Sequence, residues 1–81
     1  MTGTVTVNVK LFAALRREGD PPQGELPVEL PAGATVADLV ARLGIAAGDV
    51  GVIAVNGAVK AAATRLAAGD KVALFPPIAG G

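Results

Sequence analysis

TVADLVARLG, residues 35–44, spells a whole helix in ten letters, and the remaining segments sort themselves around it. The Thr35 hydroxyl is placed to accept from the backbone N–H of Asp38. Asp38, at the third helical position, can reach back to the N–H of Thr35, the reciprocal pair that opens a helix. Val36, Leu39, Val40 and Leu43 follow at i, i+3, i+4 and i+7 as one apolar stripe, leaving Asp38 and Arg42 for water. Gly44 is the stop. A helix this short is marginal by itself, so its stripe predicts a sheet to lie on.

Upstream of the helix the sequence supplies two strands. TVTVNVKLF, residues 4–12, alternates strictly, with Val5, Val7, Val9 and Leu11 on one face and Thr4, Thr6, Asn8 and Lys10 on the other. The period then changes over FAALRRE, residues 12–18, which reads as one or two helical turns stopped by Gly19. GDPPQGE, residues 19–25, concentrates Gly and Pro and is a loop. LPVEL, residues 26–30, alternates again, but Pro27 lacks a ladder donor and assigns this strand to an edge, beside the first.

Downstream, VGVIAV, residues 50–55, is a nearly continuous apolar run that reads as an interior strand. Asn56-Gly57 suits the two positive φ values of a tight hairpin, and Ala58-Val59-Lys60 begins the return. AAATRLAA, residues 61–68, is ambiguous between irregular chain and a helical turn, with Leu66 as its anchor in the core. Gly69-Asp70 turns the chain into KVALF, residues 71–75, the final strand. FPPIAGG follows. Pro76 and Pro77 fix φ near about −65° and carry no N–H, so they end the ladder and send the chain outward. Ile78, Ala79, Gly80 and Gly81 then form a thread only a backbone wide at its end, ready to enter a narrow channel. The expected division is a domain over residues 1–75 and an extended tail over 76–81.

Composition narrows the chemistry. The 81 residues make one domain whose core is aliphatic, since Phe12 and Phe75 are the only aromatic residues. Seven basic and seven acidic residues cancel without a block of either sign, which argues against nucleic acid as a partner. There is no cysteine and no histidine, which removes disulfides, thiolate nucleophiles and the commonest metal ligand and general base. No metal site is expected. The N-terminus has no leader pattern and no apolar run reaches a membrane span, so a cytoplasmic chain without a membrane partner is expected. The seven acids form no obvious pair, and the glycines spell no phosphate-cradling motif.

Strand, strand, helix, strand, short strand, final strand is the order of an α+β β-grasp fold: a mixed sheet of about five strands packed on one main helix, with the tail projecting. On LFAALR (11–16), TVADLVARL (35–43), AVNG (54–57) and LAAGDKVALFPPIAGG (66–81), the chain resembles the ubiquitin-like sulfur carriers of the MoaD/ThiS type, and within them the MoaD small subunits of molybdopterin synthase. The terminal piece is the specific one, because the turn, the apolar strand, the double proline and the diglycine occur together.

That resemblance implies a chemistry for Gly81. Its carboxylate would be adenylated by a MoeB-like partner enzyme that uses ATP, then converted to a thiocarboxylate with sulfur from a donor. The sulfur would pass to a pterin precursor in a MoaE-like large subunit, in a heterotetramer, on the route to the molybdenum cofactor. This chain would bind no cofactor itself. The resemblance also implies that Phe75, Val59 and Phe12 meet the large subunit while Pro76, Pro77, Ile78, Ala79 and Gly80 enter its active site. For Phe12 and Val59, plain core packing is the competing expectation. Three other readings stay open: a carrier for thiamine thiazole or cysteine synthesis, a ubiquitin-like protein modifier, and a β-grasp binding module with an idle tail.

Overall fold

The computed structural model describes residues 3–12, 15 and 25–77. Strand β1 (Thr4–Leu11) buries Val7, Val9 and Leu11 and exposes Thr4, Thr6 and Lys10, as its alternation requires. Strand β2 (Glu25–Pro31) pairs with it antiparallel, from Thr4 opposite Pro31 to Lys10 opposite Glu25. The Ala32 N–H donates to the Gly3 carbonyl at 2.9 Å, which fixes the hydrogen-bonding alternation of this pair. Residues 26, 28 and 30 therefore bond β1, while 27, 29 and 31 turn their backbone groups to the free edge. Pro27 and Pro31 remove two donors from that edge and blunt it against strand addition.

The helix α1 (Val36–Arg42) carries the anticipated cap at both ends. Thr35 Oγ1 accepts from the Asp38 N–H at 3.3 Å, and Asp38 Oδ2 accepts from the Thr35 N–H at 2.9 Å. At the other end Gly44 has φ 74°, its N–H bonds the Ala41 carbonyl, and the Ile45 N–H bonds the Val40 carbonyl, a Schellman closure. The first two helical N–H groups, of Val36 and Ala37, donate to the carbonyls of Thr64 and Ala62. Residues 61–65 are thus irregular chain that closes the helix N-terminus, which resolves their ambiguity, and Leu66 beyond them is buried.

Three further strands complete the sheet. A 3₁₀ turn (Ala47–Asp49) leads into β3 (Val52–Val55), which begins two residues later than the apolar run suggested because Val50 still closes that turn. Asn56 (φ 52°) and Gly57 (φ 86°) form the hairpin turn to β4 (Ala58–Val59). Strand β5 (Lys71–Phe75) lies between β1, to which it is parallel, and β3, to which it is antiparallel. The order is β2-β1-β5-β3-β4, a mixed five-stranded sheet with one helix on one face, the β-grasp arrangement. The core between them joins Val36, Leu39, Val40 and Leu43 to Val7, Val9, Leu11, Leu30, Val55, Leu66, Val72 and Leu74. No helix among the described residues is long and apolar enough to cross a membrane.

The helical turns expected over 12–18 fall largely outside the described residues; of the loop expected over 19–25, residues 19–24 also lie outside them and Glu25 belongs to β2 instead, while Leu15 is buried and its N–H donates to the Phe12 carbonyl.

Candidate functional site: the open sheet face and the root of the tail

Among the described residues no helix lies over the second face of the sheet, and strand register decides what it presents. Lys10 pairs with Ala73, Ala73 with Ala54, and Ala54 with Val59, so these four stand in one row. Val52 pairs with Phe75, and the Phe12 N–H extends the β1–β5 ladder to the Leu74 carbonyl, which brings Phe12 beside Phe75. Their rings stack with centroids 4.3 Å apart and planes 15° from parallel. The Lys10 ammonium sits 5.5 Å from the Phe12 ring centroid, within range of a cation–π contact.

This face is apolar for a surface. Val59 is 76% exposed and Val52 38%, the two large hydrophobic residues left in water among those described. Val59 is therefore a surface residue of the open face and Phe12 a half-buried one; neither belongs to the core cluster. Phe75 differs from the expectation of a bare aromatic: it is half-buried, because Phe12 covers one side of its ring. A shallow depression of about 340 Å³, lined by Lys10, Glu25, Ala54, Lys71, Ala73 and Phe75 among others, lies beside the pair.

The turn under Val59 is held by side chains. Asn56 donates through Nδ2 to Asp70 Oδ1 at 3.0 Å and accepts from the Lys71 N–H through Oδ1 at 3.0 Å. Asp70 also accepts from the Ala67 N–H at 2.8 Å. One polar knot thus fixes the β3–β4 turn to the entry of β5.

The tail leaves from the end of β5. The Gly51 N–H donates to the Phe75 carbonyl at 2.7 Å, the last rung beside the tail. Pro76 and Pro77 then lie directly on Gly51: a β-carbon there would fall 2.5 Å from Pro77 Cα, 2.8 Å from its nitrogen and 2.9 Å from the Pro76 carbonyl oxygen. Neither Gly51 nor Val52 was singled out from sequence as a site residue. A lone glycine in an apolar strand run signals close backbone approach, and that signal was present in VGV. Ile78, Ala79, Gly80 and Gly81 lie outside the described residues.

Chemistry elsewhere is sparse. Among the described residues no three acidic side chains gather as a metal site, and none of the buried residues is polar or charged. A groove of about 210 Å³ between α1 and the 3₁₀ turn is lined by Val40, Ile45, Val50, Ile53 and alanines, which offer no reactive group.

Several solved structures share this arrangement. The Haloferax volcanii HVO 2177 protein superposes with a TM-score of 0.78 at 29% identity, over 98% of this chain and 89% of its own. A Pyrococcus furiosus protein described as molybdopterin converting factor, subunit 1, is 34% identical, with a TM-score of 0.68 over 91% of this chain and 99% of its own. SAMP1 of Haloferax volcanii is 30% identical, with a TM-score of 0.66 over 94% of this chain and 99% of its own. No curated protein matches the sequence. The ThiS family model matches residues 9–81, from the middle of β1 through the diglycine, and the chain belongs to the ThiS family.

Proposed function

We propose that this chain is a sulfur carrier whose cargo is held on the Gly81 carboxylate, and that it serves as the small subunit of a molybdopterin synthase. A carboxylate is a poor electrophile. Its oxygen would attack the α-phosphorus of ATP on a partner enzyme, expelling pyrophosphate. A sulfide equivalent from the donor would then attack the acyl carbon and displace AMP, leaving a thiocarboxylate. The nucleophilic sulfur would next attack a pterin precursor held by the large subunit. ATP, the general base and the precursor site belong to the partners on this reading, and this chain supplies the tail and the surface that delivers it.

The observation that carries the proposal is the exit of Pro76-Pro77 from β5 beside an apolar face made of the exposed Val52 and Val59 and the half-buried, stacked Phe12 and Phe75, followed in sequence by Ile-Ala-Gly-Gly. The apolar face and the root of the tail share one corner of the sheet. Lys10 and Lys71 stand on the same face, so a partner with an apolar centre and carboxylates around it would complement it. The similarity to the Pyrococcus furiosus protein favours the molybdopterin route.

A second reading has its own support. The similarity to SAMP1, a small archaeal modifier protein of Haloferax volcanii, favours transfer of the activated terminus to a lysine amine on another protein. Both readings begin with adenylation and part afterwards. Reconstitution separates them: the thiocarboxylated chain, mixed with the large subunit and the pterin precursor, should yield molybdopterin and return the carboxylate form. Failure of that conversion, together with lysine-linked conjugates of this chain in cell extracts, would replace the carrier by the modifier.

A further inference from the structure

We infer that Gly51 is a positioning residue for the tail, the seat on which Pro76 and Pro77 rest so that the following residues leave the domain in one direction. This rests on the reading that a partner adenylates the terminal carboxylate, and it holds for carrier and modifier alike. Gly51 is not among the glycines with positive φ, which are Gly33, Gly44, Gly57 and Gly69. Backbone conformation therefore does not require glycine at position 51. Space does. The three atoms that a β-carbon would strike, at 2.5, 2.8 and 2.9 Å, all belong to the backbone of Pro76 and Pro77, so no side-chain rotation relieves the clash.

The seat sits where direction is decided. The Gly51 N–H holds the Phe75 carbonyl at 2.7 Å, and beyond it Pro76 and Pro77 have no N–H with which to continue the ladder. Contact with the bare Gly51 α-carbon thus takes over from hydrogen bonding in placing the first two tail residues, and their fixed φ passes that direction on. Moving Pro77 from 2.5 Å to ordinary van der Waals distance displaces the root by roughly 1 Å. A misplacement of that size, carried out to the reacting carboxylate, is worth up to roughly 100-fold in rate at a site that works by positioning. Gly48, three residues earlier, has no atom within 4 Å of its would-be β-carbon and provides the matched control.

The experiment compares wild type, Gly51→Ala and Gly48→Ala in adenylation by the cognate enzyme with ATP, reading pyrophosphate release with kcat and KM separated. Gly51→Ala should lower kcat by roughly 10- to 100-fold with little change in KM, because the docking face is untouched. Gly48→Ala should match wild type. In the wild-type NMR spectrum the Gly51 α-protons should show Overhauser contacts to Pro77, and these should vanish in Gly51→Ala while amide shifts of α1 and β2 stay in place. Turnover of Gly51→Ala within about twofold of wild type would overturn the inference, as would an equal loss in Gly48→Ala or absent Gly51–Pro77 contacts in wild type. Loss of the cooperative unfolding transition in Gly51→Ala would assign the contact to folding and overturn it too. No pyrophosphate release from wild type would instead refute the adenylation on which the inference rests.

Discussion

Leu39→Ala probes the packing that holds the whole arrangement together. Leu39 lies in the second turn of α1, is 0% exposed, and is one of the largest fully buried side chains with Leu30 and Leu74. Truncation removes three carbons from a site enclosed by helix and sheet, so the lost transfer energy and the cavity add to about 2–5 kcal/mol. A domain of this length has about 4–12 kcal/mol in all, at roughly 0.05–0.15 kcal/mol per residue. At about 4–8 °C per kcal/mol for this size, the midpoint should fall by at least about 8 °C. The chain has neither Trp nor Tyr, so the transition is best followed by far-UV circular dichroism or calorimetry. Arg42→Ala, exposed on the same helix, is the reference. A midpoint for Leu39→Ala no lower than that of Arg42→Ala would refute the packing of the helix stripe on the sheet.

Asn56→Ala should cost about 1–3 kcal/mol in urea unfolding, because it loses the bonds to Asp70 and the Lys71 N–H and, with them, the side-chain amide that makes φ 52° tolerable at this position. Val59→Asp should change stability by no more than about 0.5 kcal/mol, since the side chain is 76% exposed, yet weaken binding to the large subunit at least about tenfold in titration calorimetry. Deleting residues 78–81 should leave the midpoint within about 2 °C of wild type, because the core cluster described above is built from residues 7–74, while adenylation is lost.

The features legible in the sequence were those written by neighbours in the chain. Thr35, Asp38, the Val36-Leu39-Val40-Leu43 stripe and Gly44 specify the helix locally, and the structure realises each of them. Pro27 marks an edge strand because a missing donor is a property of one residue, and Asn56-Gly57 marks a turn for the same reason. What was not legible depends on partners distant in the chain. That residues 61–65 accept the first helical N–H groups is a backbone arrangement with no side-chain pattern. The Ala47–Asp49 turn has no side-chain cap to announce it. Stacking of Phe12 on Phe75 follows only from the parallel register of β1 with β5, which two separated runs of alternating residues leave undetermined. The close approach of Gly51 to Pro77 had a clue on one side alone, the glycine in VGV.

On the function proposed above, sulfur is carried on the carboxylate of Gly81. Intact mass of the chain, measured after incubation with the adenylating enzyme, ATP and a sulfur donor, tests it most directly. The expected result is a gain equal to exchange of one oxygen for sulfur, placed on the last residue by fragmentation, and none when ATP is withheld. A variant with one alanine added after Gly81 should remain unconverted, because the carboxylate then stands roughly 3.3–3.6 Å farther along an extended chain. An unchanged wild-type mass in the complete mixture, or equal conversion of the extended variant, would contradict the account.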